Sequence, residues 1–379
     1  MIDVAVAGGG PAGSAVAALL ARDHGVTVFE DHPRIGLPEQ CAGLLTDRAI
    51  ETSGVSPDIL STLYGAEVLL PGGGRVTVRS ERPKARAVDR SDLDSRMADR
   101  AMAAGAEYRL SEKVRSFSVG SSVSISTSAG DHSARLLVGA DGHGSVVAPA
   151  VGCVPGERIR GVQADVAVRM EDQEMFRMRM GSRYAPGFFT WEIPCGDFTR
   201  VGLCASWSAG PPYPYLRRLL SDLGYDGRVI CMHSGRIPMH PSGPISADRA
   251  MLIGDAASQV KPVSGGGILP SMVAAPILAD VAHSALVSDD LSARRLSEYD
   301  RRWDGAMGKD LSKAYRFRRA LLRMDDDDLD RAGRYASRDD VRAVLDGIDL
   351  DTPADVMKAL LRHPGMAASG AWTLLRCLI

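Results

Sequence analysis

The period of the apolar positions changes along the chain, and each change marks an element. Residues 2–7, IDVAVA, are a short apolar run of strand type. A glycine-rich stretch and SAVAALLAR follow, a helical segment that stops near Gly25, and then VTVF, a second strand ending at Glu30. Val88-Asp89-Arg90 opens another helix, with Leu93, Met97 and Ala101 on one face. Two more apolar strands end in Ala140-Asp141-Gly142 and Gly254-Asp255; the second leads through Pro262 and three glycines into a long apolar helix. In GFFTWEIPCGDFTRVGLC the pattern alternates, so Phe189 and Trp191 share one side of a strand, Pro194 ends it, and Gly196-Asp197 turns into the next. Gly72-Gly73-Gly74 reads as a hairpin turn. Residues 291–324 are helical, with Tyr299, Trp303, Met307, Leu311 and Ala314 about a turn apart, expected to pack on the core. Asp325–Asp328 is an exposed helix start or turn, and residues 356–379 are apolar enough to touch lipid.

At 379 residues the chain exceeds one core, and two or three domains are expected. A formal net charge of −2 argues against nucleic acid as a partner. The six cysteines (Cys41, Cys153, Cys195, Cys204, Cys231, Cys377) make no C-x-x-C pair, so neither a zinc site nor a disulfide framework is expected. Met1 leads straight into a strand and no apolar run reaches ~18 residues. A cytoplasmic protein is expected, with docking on the inner face of the membrane left open.

Gly8, Gly10 and Gly13 form G-x-G-x-x-G between a strand and a helix. The first permits a tight turn, the second lets backbone approach a pyrophosphate, and the third lets helix and sheet pack closely. The helix N-terminus offers free N–H groups to phosphates. Glu30, an acid where a 2′-phosphate would need a base, is placed for an adenosine ribose. The later strand ends make FAD the expected dinucleotide. Asp141 and Asp255 supply strand-end carboxylates for hydroxyls, and Gly265, Gly266 and Gly267 supply bare backbone at a helix N-terminus beside the flavin. Arg90 is either a pyrophosphate partner or a solvated surface charge. No second G-x-G-x-x-G lies on a strand–helix unit, so the electron donor is transient or another protein.

These segments, in this order, resemble the p-hydroxybenzoate-hydroxylase-like flavoproteins. PEQCAG (residues 38–43) and FTWEIP (residues 189–194), followed by a Gly-Asp turn and Val201-Gly202, resemble the geranylgeranyl reductase family, and its archaeal digeranylgeranylglycerophospholipid reductase branch in particular. The resemblance implies an α/β (α+β) fold with three parts. A Rossmann-like FAD-binding domain takes residues 1–65, 84–155 and 245–290. An inserted mixed, largely antiparallel β-sheet substrate domain takes 66–83 and 156–244, and a helical region takes 291–379. It further implies that Ala12, Cys41, Ala42, Leu44, Val114 and Ile268 line the cofactor, that Cys41 and Trp191 are catalytic, and that Phe189, Trp191 and Pro194 line a substrate tunnel. Phe189 stands where a tyrosine is common, Ile193 where an aromatic is common, and Lys261 where an asparagine is frequent.

The implied activity is an oxidoreductase acting on CH–CH groups: hydrogenation of isolated C=C bonds in geranylgeranyl chains of membrane lipids. Electrons would come from ferredoxin, a reduced deazaflavin or NAD(P)H. Cys41 is a candidate proton donor, since a buried thiol keeps its proton unless a cation is near; packing as a small buried hydrophobe is the other reading. Arg301, Arg302, Arg316, Arg318, Arg319 and Arg323 are available for a phosphate head group, or are solvated helix faces. FTWEIP also resembles the W-x-W-x-I-P of flavin halogenases, without its first tryptophan and with no lysine placed for hypohalous chemistry. An FAD monooxygenase or halogenase of a small aromatic is therefore the alternative, and a flavin-binding redox sensor a third reading.

Overall fold

The computed structural model describes residues 1–346 together with 349, 351 and 352. The apolar stretch 356–379 and Cys377 lie outside the described residues.

The expected βαβ unit is present. Strands Ile2–Ala7 and Val26–Phe29 pair in parallel around helix Pro11–Leu20, with Val4 opposite Val26. The sheet extends to Asp131–Gly139 and Ala250–Leu252 on one side and Glu107–Arg109 on the other. Strands buried on both faces explain the unbroken apolar runs: Val4, Ala5, Val6 and Leu136, Leu137, Val138 are fully buried. One face is covered by Pro11–Leu20 packed between the helices Arg90–Ala103 and Ile268–Val287. Ile268–Val287 is, among the described residues, the one helix with the length and hydropathy to cross a bilayer, and it is mostly buried here. Asp89 caps the Arg90 helix by accepting from the Asp92 N–H, and Leu93, Met97 and Ala101 face the core as expected.

A seven-stranded sheet runs in the order Val229–Ser242, Val154–Val166, Phe198–Ser206, Phe189–Cys195, Met175–Met180, Gly65–Leu69, Arg75–Arg79. All pairs are antiparallel except Met175–Met180 with Gly65–Leu69. The hairpin at Gly72–Gly74 joins its last two strands. Pro194 does not end its strand, which continues to Cys195. Beyond Glu192 that strand has lost its Met175–Met180 partner, so the missing proline N–H leaves no ladder bond unmade. A third, small sheet of Leu44–Leu45, Ala85–Val88 and Ile59–Leu63, not anticipated from the pattern, links the two larger ones.

The C-terminal helices Ala293–Trp303 and Lys309–Leu321, joined by a π-helical turn at Asp304–Gly308, bury Tyr299, Trp303, Met307, Leu311 and Ala314. This stripe faces protein. Asp325 then caps the helix Asp326–Ala336 in a reciprocal box with Asp328.

Candidate active site

Between the two large sheets lies one cavity of about 1470 Å³. Its two ends differ in chemistry.

The first end is built on the glycine turn. Gly8 has φ +102°, a left-handed value that favours glycine. A Cβ on Gly13 would stand 2.0 Å from the Gly8 carbonyl oxygen, so Gly13 sets helix packing and is not part of the cavity wall. A Cβ on Gly10 would meet nothing within 4 Å and would fill open cavity beside the uncapped helix N-terminus. Gly8, Gly10 and Ala12 form this wall, with Glu30 and Val114 at its edge. Glu30 accepts from the Gly9 N–H at 2.8 Å and the His32 N–H at 3.0 Å, which fixes the carboxylate at the rim.

Asp141 and Asp255 stand at the middle of the wall. Asp141 accepts from the Val146 N–H at 2.7 Å through one oxygen, while the other, Oδ1, is buried without a partner among the described residues. Burial pushes the Asp255 carboxyl up to about 6, the nearby Arg90 cation only partly offsetting it. Gly265, Gly266, Gly267 and Ile268 continue the lining at the uncapped start of Ile268–Val287. A cradle with space at Gly10, two helix N-termini and two carboxylates short of donors fits a polyhydroxylated dinucleotide.

The PEQCAG segment crosses the cavity at this point. Cys41, Ala42 and Leu44 line it, and the Gly43 N–H points to the Cys41 sulfur at 3.5 Å. A buried network holds the segment to the seven-stranded sheet. Gln163 Nε2 donates to the Cys41 carbonyl at 2.9 Å. Arg200 donates to Asp165 Oδ1 at 2.8 Å, to Glu39 Oε2 at 3.0 Å and to the Ala42 carbonyl at 3.3 Å. Arg90 is no surface charge: it is buried, lines the cavity and is clamped by Asp94 at 2.9 and 3.0 Å. Its guanidinium is also close enough to the Cys41 side chain to interact with it electrostatically.

Beyond Cys41 the lining turns apolar. Phe189 and Trp191 project from one strand face as expected, their rings 6.4 Å apart and near perpendicular, with Phe188 stacked on Phe189 at 4.3 Å. Gly202 lies under the indole, where a Cβ would come within 2.5 Å of the ring. Trp191 Nε1 is buried without a partner among the described residues. Ala66, Val68, Val76, Val78 and Met178 from the sheet, Phe317 and Leu321 from helix Lys309–Leu321, and Met324 just after it carry the apolar wall onward. Pro194 is buried outside this lining, on the part of its strand that packs against the small sheet, where its carbonyl accepts from Ser61.

Of the two readings of the C-terminal arginines, head-group ligands or solvated helix faces, the first finds no support at the cavity. None of Arg301, Arg302, Arg316, Arg318, Arg319 and Arg323 lines the cavity. Arg318 is buried, with Nε 2.9 Å from Glu157 and the guanidinium over Phe188. Lys261 does reach the wall, with its ammonium 3.0 Å from Asp351; the other Asp351 oxygen accepts from Thr46 at 2.7 Å. Gln163, Asp165 and Arg200 went unremarked in the sequence. The signal was present: polar and charged side chains at mid-strand in VQADV and FTRVGL, with Asp165 directly opposite Arg200.

Comparison with known proteins agrees with this geometry. Residues 1–188 match the model of a family described as FAD binding domain. Digeranylgeranylglycerophospholipid reductase 2 of Methanothermobacter thermautotrophicus is 32% identical over 96% of this chain and 97% of its own length. A crystal structure described as geranylgeranyl bacteriochlorophyll reductase-like, from Thermoplasma acidophilum, superposes with TM-score 0.86 at 23% identity, covering 98% of this chain and 99% of that one. A halogenase in complex with FAD superposes less closely, with TM-score 0.70 at 15% identity over 99% of this chain and 85% of its own. The cofactor is FAD, and the chain belongs to the digeranylgeranylglycerophospholipid reductase branch of the geranylgeranyl reductase family.

Proposed function

We propose that the protein hydrogenates isolated C=C bonds in the geranylgeranyl chains of a digeranylgeranylglycerophospholipid. One observation carries this reading: the cavity runs without a break from the dinucleotide cradle, past Cys41 and Trp191, into an apolar channel. Its volume exceeds the ~300–1,000 Å³ of an ordinary ligand pocket, leaving room for a chain beside a cofactor. The resemblance to relatives of that name supports the substrate class.

Gly8, Gly10, Ala12 and the N-terminus of Pro11–Leu20 would hold the FAD pyrophosphate, Glu30 and Val114 the adenosine end, and Asp141 and Asp255 its hydroxyls. Gly265, Gly266, Gly267 and Ile268 would take the flavin edge, opposite Cys41, Ala42, Leu44 and Arg90. When bound and reduced, FAD supplies a hydride to one alkene carbon. The other carbon needs a proton at nearly the same moment, because an isolated alkene has no carbonyl to take up charge. Cys41 is the donor at that place. Arg90 stabilises the sulfur as its proton leaves, and Asp94 keeps the guanidinium in position. Phe189 and Trp191 hold the chain against the reacting face, and such positioning supplies up to ~7–11 kcal/mol of the barrier. The apolar lining keeps water from competing with the alkene.

An external donor (ferredoxin, a reduced deazaflavin or NAD(P)H) would reload the cofactor. The reading places the protein in the cytoplasm with access to the inner membrane face. The test is anaerobic reduction, incubation with a geranylgeranylated lipid, and mass spectrometry. A gain of two mass units per double bond is expected. Incorporation of oxygen on admitting air, with no gain in hydrogen, would replace this reading by a monooxygenase.

A further inference from the structure

We propose that Arg158, Arg160 and Arg236, backed by Trp207, form a phosphate-binding site at the rim of the cavity. Arg160 and Arg236 stand directly opposite one another on neighbouring antiparallel strands, and Arg158 lies two residues along on the same face. Like charges paired across strands destabilise a sheet. Here nothing offsets them: among the described residues no carboxylate comes within salt-bridge distance of any of the three, whereas Arg90, Arg179, Arg200 and Arg318 are each matched to an acid. Three neighbouring cations without an acid, in a protein of net charge −2, leave a place for an anion.

The site has a built form. The same sheet face is covered further along by helix Tyr213–Asp222, which packs on Val162, Ala164 and Val166. That cover stops short of the arginines, and Trp207 takes its place. The Arg160 guanidinium lies 3.7 Å from the indole centroid and that of Arg236 5.7 Å from it, so one ring aligns two forks. Trp207 itself is 43% exposed. Guanidinium forks match phosphate oxygens in geometry as well as charge. Arg236 also lines the cavity together with His143, whose ring is kept neutral by burial and by the fields of Arg236 and Arg158. By register the three side chains lie on the sheet face opposite Gln163 and Trp191, so a phosphate held here joins the cavity around the edge strand Val229–Ser242, where Arg236 and His143 line it: as the head group of a lipid, which rests on the function proposed above, or as the phosphate of a nucleotide electron donor.

The experiment titrates FAD-loaded protein with four probes: short-chain phosphatidic acid, the matching diacylglycerol, NADPH and NADH. Trp207 fluorescence reports binding, with Trp207→Phe as the blank. The double variant Arg160→Gln/Arg236→Gln is expected to lose about tenfold or more in affinity for a phosphate-bearing probe, as loss of charge-assisted bonds requires. Arg160→Lys/Arg236→Lys should fall between, and diacylglycerol should be unaffected. A loss confined to phosphatidic acid assigns a lipid head group; a loss confined to NADPH, with NADH unchanged, assigns the nucleotide; losses for both assign a shared phosphate site. Unchanged affinities for phosphatidic acid and NADPH in a folded Gln/Gln variant would overturn the proposal. Binding is read without turnover, so the site stands or falls separately from the hydrogenation reading.

Discussion

Cys41 and Asp255 show how one cavity wall imposes different demands on two side chains. On the proposed reading Cys41 delivers the proton, and Arg90, fixed by Asp94, stands near it. Replacing it with alanine should slow single-turnover oxidation of the reduced enzyme by lipid about 10²–10⁴-fold, the range for loss of a general acid. FAD affinity should hardly change, because the thiol is not a phosphate or ribose ligand. An unchanged rate in Cys41→Ala would reduce the residue to packing. Asp255 makes a different prediction. Its folded-state pKa, about 6, lies above the usual 3.8. As pH rises between these values the unfolded chain releases the proton first, so stability of the FAD-free protein should fall through that window and level off above it. A shift of about two units corresponds to at most about 3 kcal/mol. Asp255→Asn should be flatter by that amount in urea melts from pH 4 to 7, and FAD, by giving the carboxylate hydroxyl donors, should flatten the wild-type curve as well.

The PEQCAG segment depends on elements far from it in sequence. Arg200, from the middle of Phe198–Ser206, ties together Asp165, Glu39 and the Ala42 carbonyl. Arg200→Met would leave two largely buried carboxylates without their cation, a cost of about 3–5 kcal/mol. Loosening of residues 36–45 should accompany it, seen as faster amide exchange there and a lower kcat although Cys41 is intact. If exchange quickened uniformly and kcat held, the network would be a stability element alone. The same region marks where the sequence was legible and where it was not. Gly8, Gly13 and Asp89 act locally, through one turn, one helix crossing and one cap, and local pattern suffices to read them. The partners of Arg90 and Arg200 depend on which strands meet, and period-two alternation does not say which strand pairs with which. Pro194 failed for the same reason: its place is set by where the neighbouring strand ends. The arginines of the C-terminal helices could be counted in the sequence, but the side of helix Lys309–Leu321 facing the cavity belongs to Phe317 and Leu321.

The whole molecule shares its fold with halogenases as well as with reductases, so the shape of the cavity beyond the cofactor has to carry the difference in chemistry. That part is walled by Val68, Val76 and Val78 of the sheet and by Leu321 and Met324, with Asp328, Arg331 and Arg334 of helix Asp326–Ala336 also on the lining. Affinity for a chain should then grow with the methylenes it buries, by roughly 0.8 kcal/mol each. A ten-carbon prenyl chain should bind far more weakly than a twenty-carbon one. Val78→Phe puts a ring into the channel away from Cys41 and the glycine cradle. It should raise KM for the long chain and leave FAD binding unchanged. It should have little effect on the short chain, which ends before the obstruction. Chain-length profiles of wild type and Val78→Phe, measured by mass gain under anaerobic turnover, check this directly. Equal losses for short and long chains would mean that the substrate does not run along this wall, and that the apolar channel serves the fold and not the reaction.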